Sequence, residues 1–302
     1  MASFQIHIEI AEGIGRAVFE ILRVAGKTIG GVRTTRVHHW IARKSYKSPS
    51  FRWARDRYGF EFYLSPHFFL DRIVLISGVY DVILHETMNY FLKPGMICFD
   101  VGANIGTVTL HMSKLVGPYG RVFAFEPVTP IYQRLIKHID RNHAGNTVFA
   151  YQEALADTDG VTEIAYADTM TENQGMGSLV NKENPITKNR ERVKVSKLDS
   201  FIEKYDIGSI DLIKVDIQGC EPLFINGAAK AIARFRPIIL MEIQPEDLRY
   251  INVTSIDLFT KMESFCYKAY QILYPLKFLR ISPETIDSDY YSSNVLFSVN
   301  DL

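Results

Sequence analysis

The chain has 302 residues and a mass of 34.5 kDa, room for one large α/β domain with an appendage or for two small domains. Apolar residues make up 47% and charged residues 23%, which excludes wholesale disorder and collagen-like or coiled-coil architectures. Lys plus Arg and Asp plus Glu are both 34, so overall charge does not mark a nucleic-acid binder.

Three scattered cysteines, Cys98, Cys220 and Cys266, offer neither a disulfide framework nor a zinc site, and no metal is expected. No apolar run reaches the roughly 18 residues of a membrane span. Glu9 and Glu12 interrupt the first apolar stretch, unlike a signal peptide. The expectation is a soluble, cytoplasmic protein.

Neutrality holds only in sum. Residues 1–57 carry 11 Lys/Arg against 4 Asp/Glu, and residues 58–302 carry 23 against 30. This divides the chain into a basic N-terminal appendage, 1–57, and a mildly acidic body, 58–302. In the appendage Ile14, Val18, Ile21, Leu22 and Ala25 repeat at helical spacing, with Arg16, Arg23 and Lys27 flanking the stripe. Such a helix suits peripheral contact with an anionic membrane through residues 1–31, or packing on the body or on a second copy in a homo-oligomer.

Within the body, 58–64 reads as a strand and 82–91 as a helix, broken by Lys93-Pro94-Gly95. The aromatics Phe60, Phe62, Tyr63, Phe68 and Phe69 read as core. A strand–helix alternation follows: strand 96–101, helix 105–116, strand 121–126, helix 130–142 with Thr129 as N-cap, strand 147–152. The stretch 169–192 has no clear period and reads as a long surface loop. Then come helix 198–204, strand 211–216, a helix opening at Pro222, strand 237–243, helix 256–265, and strands 268–273 and 293–299. This pattern predicts an α/β fold with a mainly parallel sheet covered by helices.

The most informative segment is Phe99-Asp100-Val101-Gly102-Ala103-Asn104-Ile105-Gly106. An apolar strand runs into a small-residue loop and then a helix, the geometry by which open α/β sheets bind nucleotides. Glu126 ends the next strand, 26 positions after Asp100, where an acid can accept both ribose hydroxyls. The loop is no dinucleotide fingerprint, since Asn104 and Thr107 stand where glycines would be needed. Asp100 would repel a pyrophosphate and suits a cationic ligand such as S-adenosylmethionine. A plainer account has Asp100 capping the helix while Gly102 and Gly106 allow close packing.

Residues 95–126 (GMICFDVGANIG…VFAFEP) resemble the FkbM-type family of S-adenosylmethionine-dependent methyltransferases. So do Glu153-Ala-Leu-Ala-Asp157, Val195-Ser-Lys-Leu-Asp199, and Asp211-Leu-Ile-Lys-Val-Asp216-Ile-Gln-Gly219-Cys-Glu221. The resemblance covers about 77–299 and leaves the appendage outside. It implies a Rossmann-like class I methyltransferase fold, a mainly parallel seven-stranded sheet whose last strand is antiparallel. It implies that Asp100, Gly102, Ala103, Asn104 and Gly106 surround the methionine part of the donor, that Glu126 holds the ribose, and that Glu153 and Ala154 flank the adenine. Asp216 would lie near the transferable methyl. Gln218 departs from the family's usual Glu, which puts any metal or acid/base role of that position in doubt.

Methyl transfer to a hydroxyl needs in-line alignment and a base for the departing proton. Asp216 is the first candidate base and Glu242, ending the next strand, the second. Lys214 lies on the side of Asp216 because strand side chains alternate, and in so apolar a strand it most plausibly neutralises a carboxylate. Glu221 reads as a first-turn acid favouring the helix dipole. These readings lead to an O-methyltransferase acting on a hydroxyl of a glycan, a glycolipid head group or a secondary metabolite. The alternatives are a nucleic-acid methyltransferase, disfavoured by the acidic body, and a Rossmann-like nucleotide-binding protein or oxidoreductase.

Overall fold

The protein is described by a computed structural model covering residues 49–166, 177–178, 189–287, 290 and 292–302. The basic helix expected near residues 14–25 lies outside the described residues. Two compact units divide the chain between Asp81 and Val82.

In the first unit, β1 (Arg52–Arg55) pairs antiparallel with β2 (Glu61–Leu64), Arg55 opposite Glu61. This hairpin spans residue 57. Asp56 shapes its turn, Oδ1 accepting from the backbone N–H of Tyr58 (2.9 Å) and Phe60 (2.8 Å). The strand expected over 58–64 therefore begins only at Glu61. Helix α1 (Phe69–Ser77) follows and stops at Gly78, whose φ of 76° is left-handed. Of the expected core aromatics Phe62 and Phe68 are buried, while Phe69 is exposed.

The second unit runs in order through α2 (Val82–Phe91), β3 (Ile97–Val101), α3 (Thr107–Val116), β4 (Arg121–Phe125), α4 (Thr129–Arg141), β5 (Val148–Tyr151) and β6 (Glu153–Leu155). It continues with β7 (Gly160–Tyr166), β8 (Gly177–Ser178), β9 (Asn189–Ser196), α5 (Leu198–Tyr205), β10 (Leu212–Val215), α6 (Glu221–Gly227) and α7 (Ala229–Phe235). Last come β11 (Ile238–Ile243), α8 (Pro245–Leu248), a 3-10 turn (Arg249–Ile251), α9 (Ser255–Ser264), β12 (Lys268–Leu273), β13 (Lys277–Ile281) and β14 (Ser292–Ser298).

Apolar, β-branched and aromatic runs make β3, β4, β10 and β11 central strands, buried on both faces. The main sheet has the order β13-β12-β14-β11-β10-β3-β4-β5. From β11 to β5 all neighbours are parallel, and β14 runs antiparallel between β11 and β12. The expected seven strands and antiparallel last strand are present. An eighth, β13, is added as the hairpin partner of β12. On one face Phe99, Phe123, Phe125 and Tyr151 stack along the sheet, with Phe201 meeting Phe125 edge-on at 4.9 Å.

A second sheet, in the order β6-β9-β7-β8, uses residues expected to be loop. Gly177–Ser178 forms β8 and Asn189–Arg192 opens β9, which corrects the reading of 169–192 at those positions. The remainder of that stretch lies outside the described residues. Thr129 is not the N-cap of α4 either; Val128 is. The first N–H groups of α4 are taken by acids, Val128 N by Glu126 Oε1 (2.9 Å) and Thr129 N by Glu191 Oε1 (2.7 Å).

Candidate active site

Strand β3 ends at Val101 and the chain turns through Gly102, Ala103, Asn104, Ile105 and Gly106 into α3. Gly102 N and Ala103 N both donate to the carbonyl of Phe125 at the end of β4, at 3.0 and 2.9 Å. Asn104 sits at φ 50°, its Oδ1 accepting from Ile105 N at 2.8 Å. Buried His138 fixes the far side through Nδ1, which donates to the carbonyl of Ile105 at 2.8 Å. A Cβ at Gly102 would stand 1.9 Å from the carbonyl oxygen of Asp216, and one at Gly106 2.6 Å from Leu135 Cδ1. Packing against backbone thus demands Gly102, whereas Gly106 is favoured by its left-handed φ of 91°.

Beneath the loop, Asp100 is wholly buried. Its Oδ2 accepts from Thr109 Oγ1 at 2.5 Å, and its Oδ1 lies 3.7 Å from Lys214 Nζ with no hydrogen bond. Strand register brings this about, since Lys214 is paired with Asp100 across β10 and β3. Lys214 also donates to Asp216 Oδ2 at 3.2 Å and to the carbonyl of Gly102 at 3.3 Å. It is therefore a buried counter-ion tying two carboxylates to the loop. Burial raises the pKa of Asp100 despite the opposing Lys214 charge. Burial disfavours the Lys214 ammonium, yet the charges of Asp216 and Asp100 hold its pKa above the ordinary value.

Asp216 follows β10, and Glu242 lies near the end of β11. Val215 pairs with Met241, so the two acids that follow them are neighbours at the carboxyl edge of the sheet. Burial and the adjacent Asp216 charge push Glu242 up to about 9. Against burial, the Lys214 charge and the hydrogen bond from Glu242 keep Asp216 below the usual carboxylate range. Gln244 Nε2 donates to Glu242 Oε1 at 2.8 Å, and Gln218 Nε2 lies 3.5 Å from Asp216 Oδ1.

Glu126 closes the other side, Oε2 accepting from Asn104 N at 3.0 Å while Oε1 caps α4. Burial pushes it up to about 7 against those hydrogen bonds. Glu153 and Ala154 stand just past the end of β5, in β6 of the second sheet. There Glu153 Oε2 accepts from Lys194, and its Oε1 is buried with no hydrogen-bond partner among the described residues.

Position in the strands had pointed to Asp100, Glu126, Asp216 and Glu242. The roles of Thr109, Gln244 and Glu191 were missed. Thr109 carries no sequence signal beyond its place in the helix after the loop, and Glu191 lay in a segment read as loop.

Four carboxyls stand around one ammonium, and that ammonium is already engaged by Asp216, so among the described residues of the cluster no cation is left to receive a pyrophosphate. Half-buried Gly102, Asn104 and Asp216 give the cluster its rim. A mainly parallel sheet with an antiparallel last strand and a glycine loop at its carboxyl edge is the architecture expected of a class I methyltransferase.

The chain belongs to the FkbM methyltransferase family, whose model, described as "Methyltransferase FkbM domain", matches residues 100–270. Its cofactor is S-adenosylmethionine, which the charge of the cluster suits. The family sets aside the oxidoreductase reading.

Among curated relatives, the chain is 28% identical over 179 residues to the AMB antimetabolite synthetase AmbE of Pseudomonas aeruginosa, covering 49% of this chain and 8% of that protein. It is 26% identical over 155 residues to the hexuronic acid methyltransferase AglP of Haloferax volcanii, covering 50% of this chain and 59% of that one. The match thus spans under two thirds of either relative. A solved FkbM methyltransferase from Methylobacillus flagellatus is 16% identical with a TM-score of 0.41, over 75% of this chain and 52% of that one. Among the described residues no helix is long and apolar enough to cross a membrane.

Proposed function

We propose that the chain transfers a methyl group from S-adenosylmethionine to an oxygen of a glycan, a glycolipid head group or a secondary metabolite. The observation that supports this best is the placement of Asp216 and Glu242 directly after the paired Val215 and Met241, with Lys214 tying Asp216 to the Gly102 carbonyl of the glycine loop. Bound S-adenosylmethionine supplies an electrophilic methyl on a positively charged sulfur.

In this reading Gly102, Ala103, Asn104 and Gly106 line the methionine end of the donor site. Asp100 sets the charge beneath them from its buried position. Glu126 takes the ribose hydroxyls with the lone pairs its backbone bonds leave free, and Glu153 and Ala154 flank the adenine. Asp216 stands beside the transferred methyl. As the acceptor oxygen gains its new C–O bond, its proton passes to the Asp216 carboxylate. Glu242, already protonated below about 9, is not the base near neutrality; it holds a hydrogen bond on Asp216 and keeps that carboxylate oriented.

The relative named for hexuronic acid methylation makes sugars the first acceptors to try. A panel of neutral and uronic-acid glycans, incubated with the protein and S-adenosylmethionine, is read by mass spectrometry for one added methyl. An alkali-stable methyl ether on a glycan hydroxyl is the expected product. An alkali-labile ester would move the acceptor to a carboxylate, and methylation of RNA or DNA alone would overturn the proposal.

A further inference from the structure

We propose that the hairpin joining β12 and β13 is a docking surface for an anionic lipid bilayer. Segment 268–281 contains Lys268, Lys277 and Arg280 and no acidic residue; Lys268 is paired with Asp301, which leaves Lys277 and Arg280 as the cations of the surface. Its tip and outer strand are apolar and open to solvent: Tyr274 is 74% exposed, Leu279 52% and Leu273 37%. On the opposite face of the hairpin Phe278 meets Tyr90 and Phe91 of α2 at 5.7 and 5.6 Å, and Tyr90 is 57% exposed. Lys93 lies at its margin, donating to the carbonyl of Tyr90 at 3.3 Å.

Exposed apolar side chains gathered on both faces of one hairpin end mark an interaction site rather than ordinary surface scatter. Aromatic rings flanked by cations are the chemistry of a membrane interface, tyrosines at head-group level and basic side chains over anionic lipid. The charge also argues against a second copy of the chain. Strand β13 is the edge of the sheet among the described residues, and antiparallel pairing of two such edges would set Lys277 and Arg280 of both copies along one seam with no acid in either strand.

Topology gives this surface a use. Val215, Met241, Val295, Gln271 and Leu279 form one row across five strands. Asp216 and Glu242 follow that row directly, and the hairpin tip begins at Tyr274, three residues past Gln271. The tip therefore projects from the sheet edge that carries the acidic pair. A bilayer bound there would present its head groups to that edge, so the inference rests on the methyltransferase reading for its purpose but not for its test.

The full chain is floated with phosphatidylcholine vesicles with and without phosphatidylserine. Binding is expected only with phosphatidylserine, and it should fall by about ten-fold or more in Tyr274→Ser/Leu279→Ser and in Lys277→Glu/Arg280→Glu. Wild-type protein that does not float, floats equally without phosphatidylserine, or floats undiminished in both variants overturns the proposal. So does a dimer in gel filtration that the variants dissolve, which would assign the surface to a second copy. Binding of S-adenosylhomocysteine, measured on the same samples, separates the two readings: its loss alongside intact flotation strikes the methyl-transfer chemistry and leaves the surface standing.

Discussion

A hydrogen bond links the carboxyl of Glu242 to that of Asp216, and the two residues stand side by side beyond the Val215–Met241 pair of adjacent parallel strands. Like charges so close cannot both persist, so one carboxyl is forced to stay neutral. Lys214, 3.2 Å from Asp216 Oδ2, decides which. The result is an anion and a neutral acid at the mouth of one loop, held without any further cation among the described residues that the structure pairs with them.

The pair has a pH signature. Glu242 has a folded pKa of about 9, above the 4.5 of a free glutamate, so the folded state binds the extra proton across that window. Its stabilising contribution is complete below about 4.5 and is lost as pH rises through about 9. Glu242→Gln does not titrate. Its melting temperature should gain on the wild type by about 2–4 °C for each kcal/mol of this linkage between mildly acidic and alkaline pH. A difference that stays flat with pH would show that Glu242 carries no such proton.

Asp216→Asn removes the base while Gln218, Lys214 and Glu242 remain. Methyl transfer at saturating donor and acceptor is expected to drop by about 10²- to 10⁴-fold, the usual contribution of a positioned base. S-adenosylhomocysteine affinity, followed by calorimetry, should change far less. Full activity in the variant would take the base role away from Asp216.

Lys214→Met leaves Asp100 and Asp216 facing one another without their shared counter-ion. Breaking a buried pair from one side costs about 3–5 kcal/mol, and the Lys214 side chain is only 6% exposed. Adding Asp100→Asn should recover part of that loss, because one uncompensated charge disappears. Denaturant unfolding of both single variants and the double variant checks it; strictly additive losses would show that Lys214 and Asp100 do not act together.

Much of this architecture was legible because it rests on periodicity. The helix expected at 82–91 and the strand at 268–273 coincide with α2 and β12 residue for residue, and the central strands differ from expectation only at their ends. Helix α1 was missed because Phe69–Ser77 is nearly continuous in apolar residues, and its charged members, Asp71 and Arg72, are themselves buried. Strand β9 was hidden by composition. Its alternating Arg190, Arg192 and Lys194 look like a solvated loop until β6 and β7 pair with it on either side.

In the site, strand ends identified the acids, but register cannot be read from one strand. Nothing in the sequence states that Lys214 faces Asp100 across β3. The loop glycines teach a related lesson. Gly102 packs against the Asp216 carbonyl, so replacing it disturbs the fold before it can report on a donor.

Glu221 carries the last prediction, because its structure exceeds the helix-dipole role its position suggested. Its Oε1 accepts from the backbone N–H of Ile217 at 3.2 Å and of Gly219 at 3.3 Å, while Oε2 is buried with no hydrogen-bond partner among the described residues. It thereby closes the turn that follows Asp216 and holds Gln218, at φ 56°, toward that carboxylate. Burial pushes Glu221 up to about 7, so its stabilising contribution is complete below about 4.5 and is lost as pH rises through about 7. Glu221→Gln keeps an acceptor and cannot ionise, and should gain stability relative to wild type over that interval and no further above it. Glu221→Ala orphans two N–H groups and should cost about 1–3 kcal/mol at any pH, with kcat falling more than donor affinity. Equal kcat in the alanine variant would reduce Glu221 to a support for its own helix.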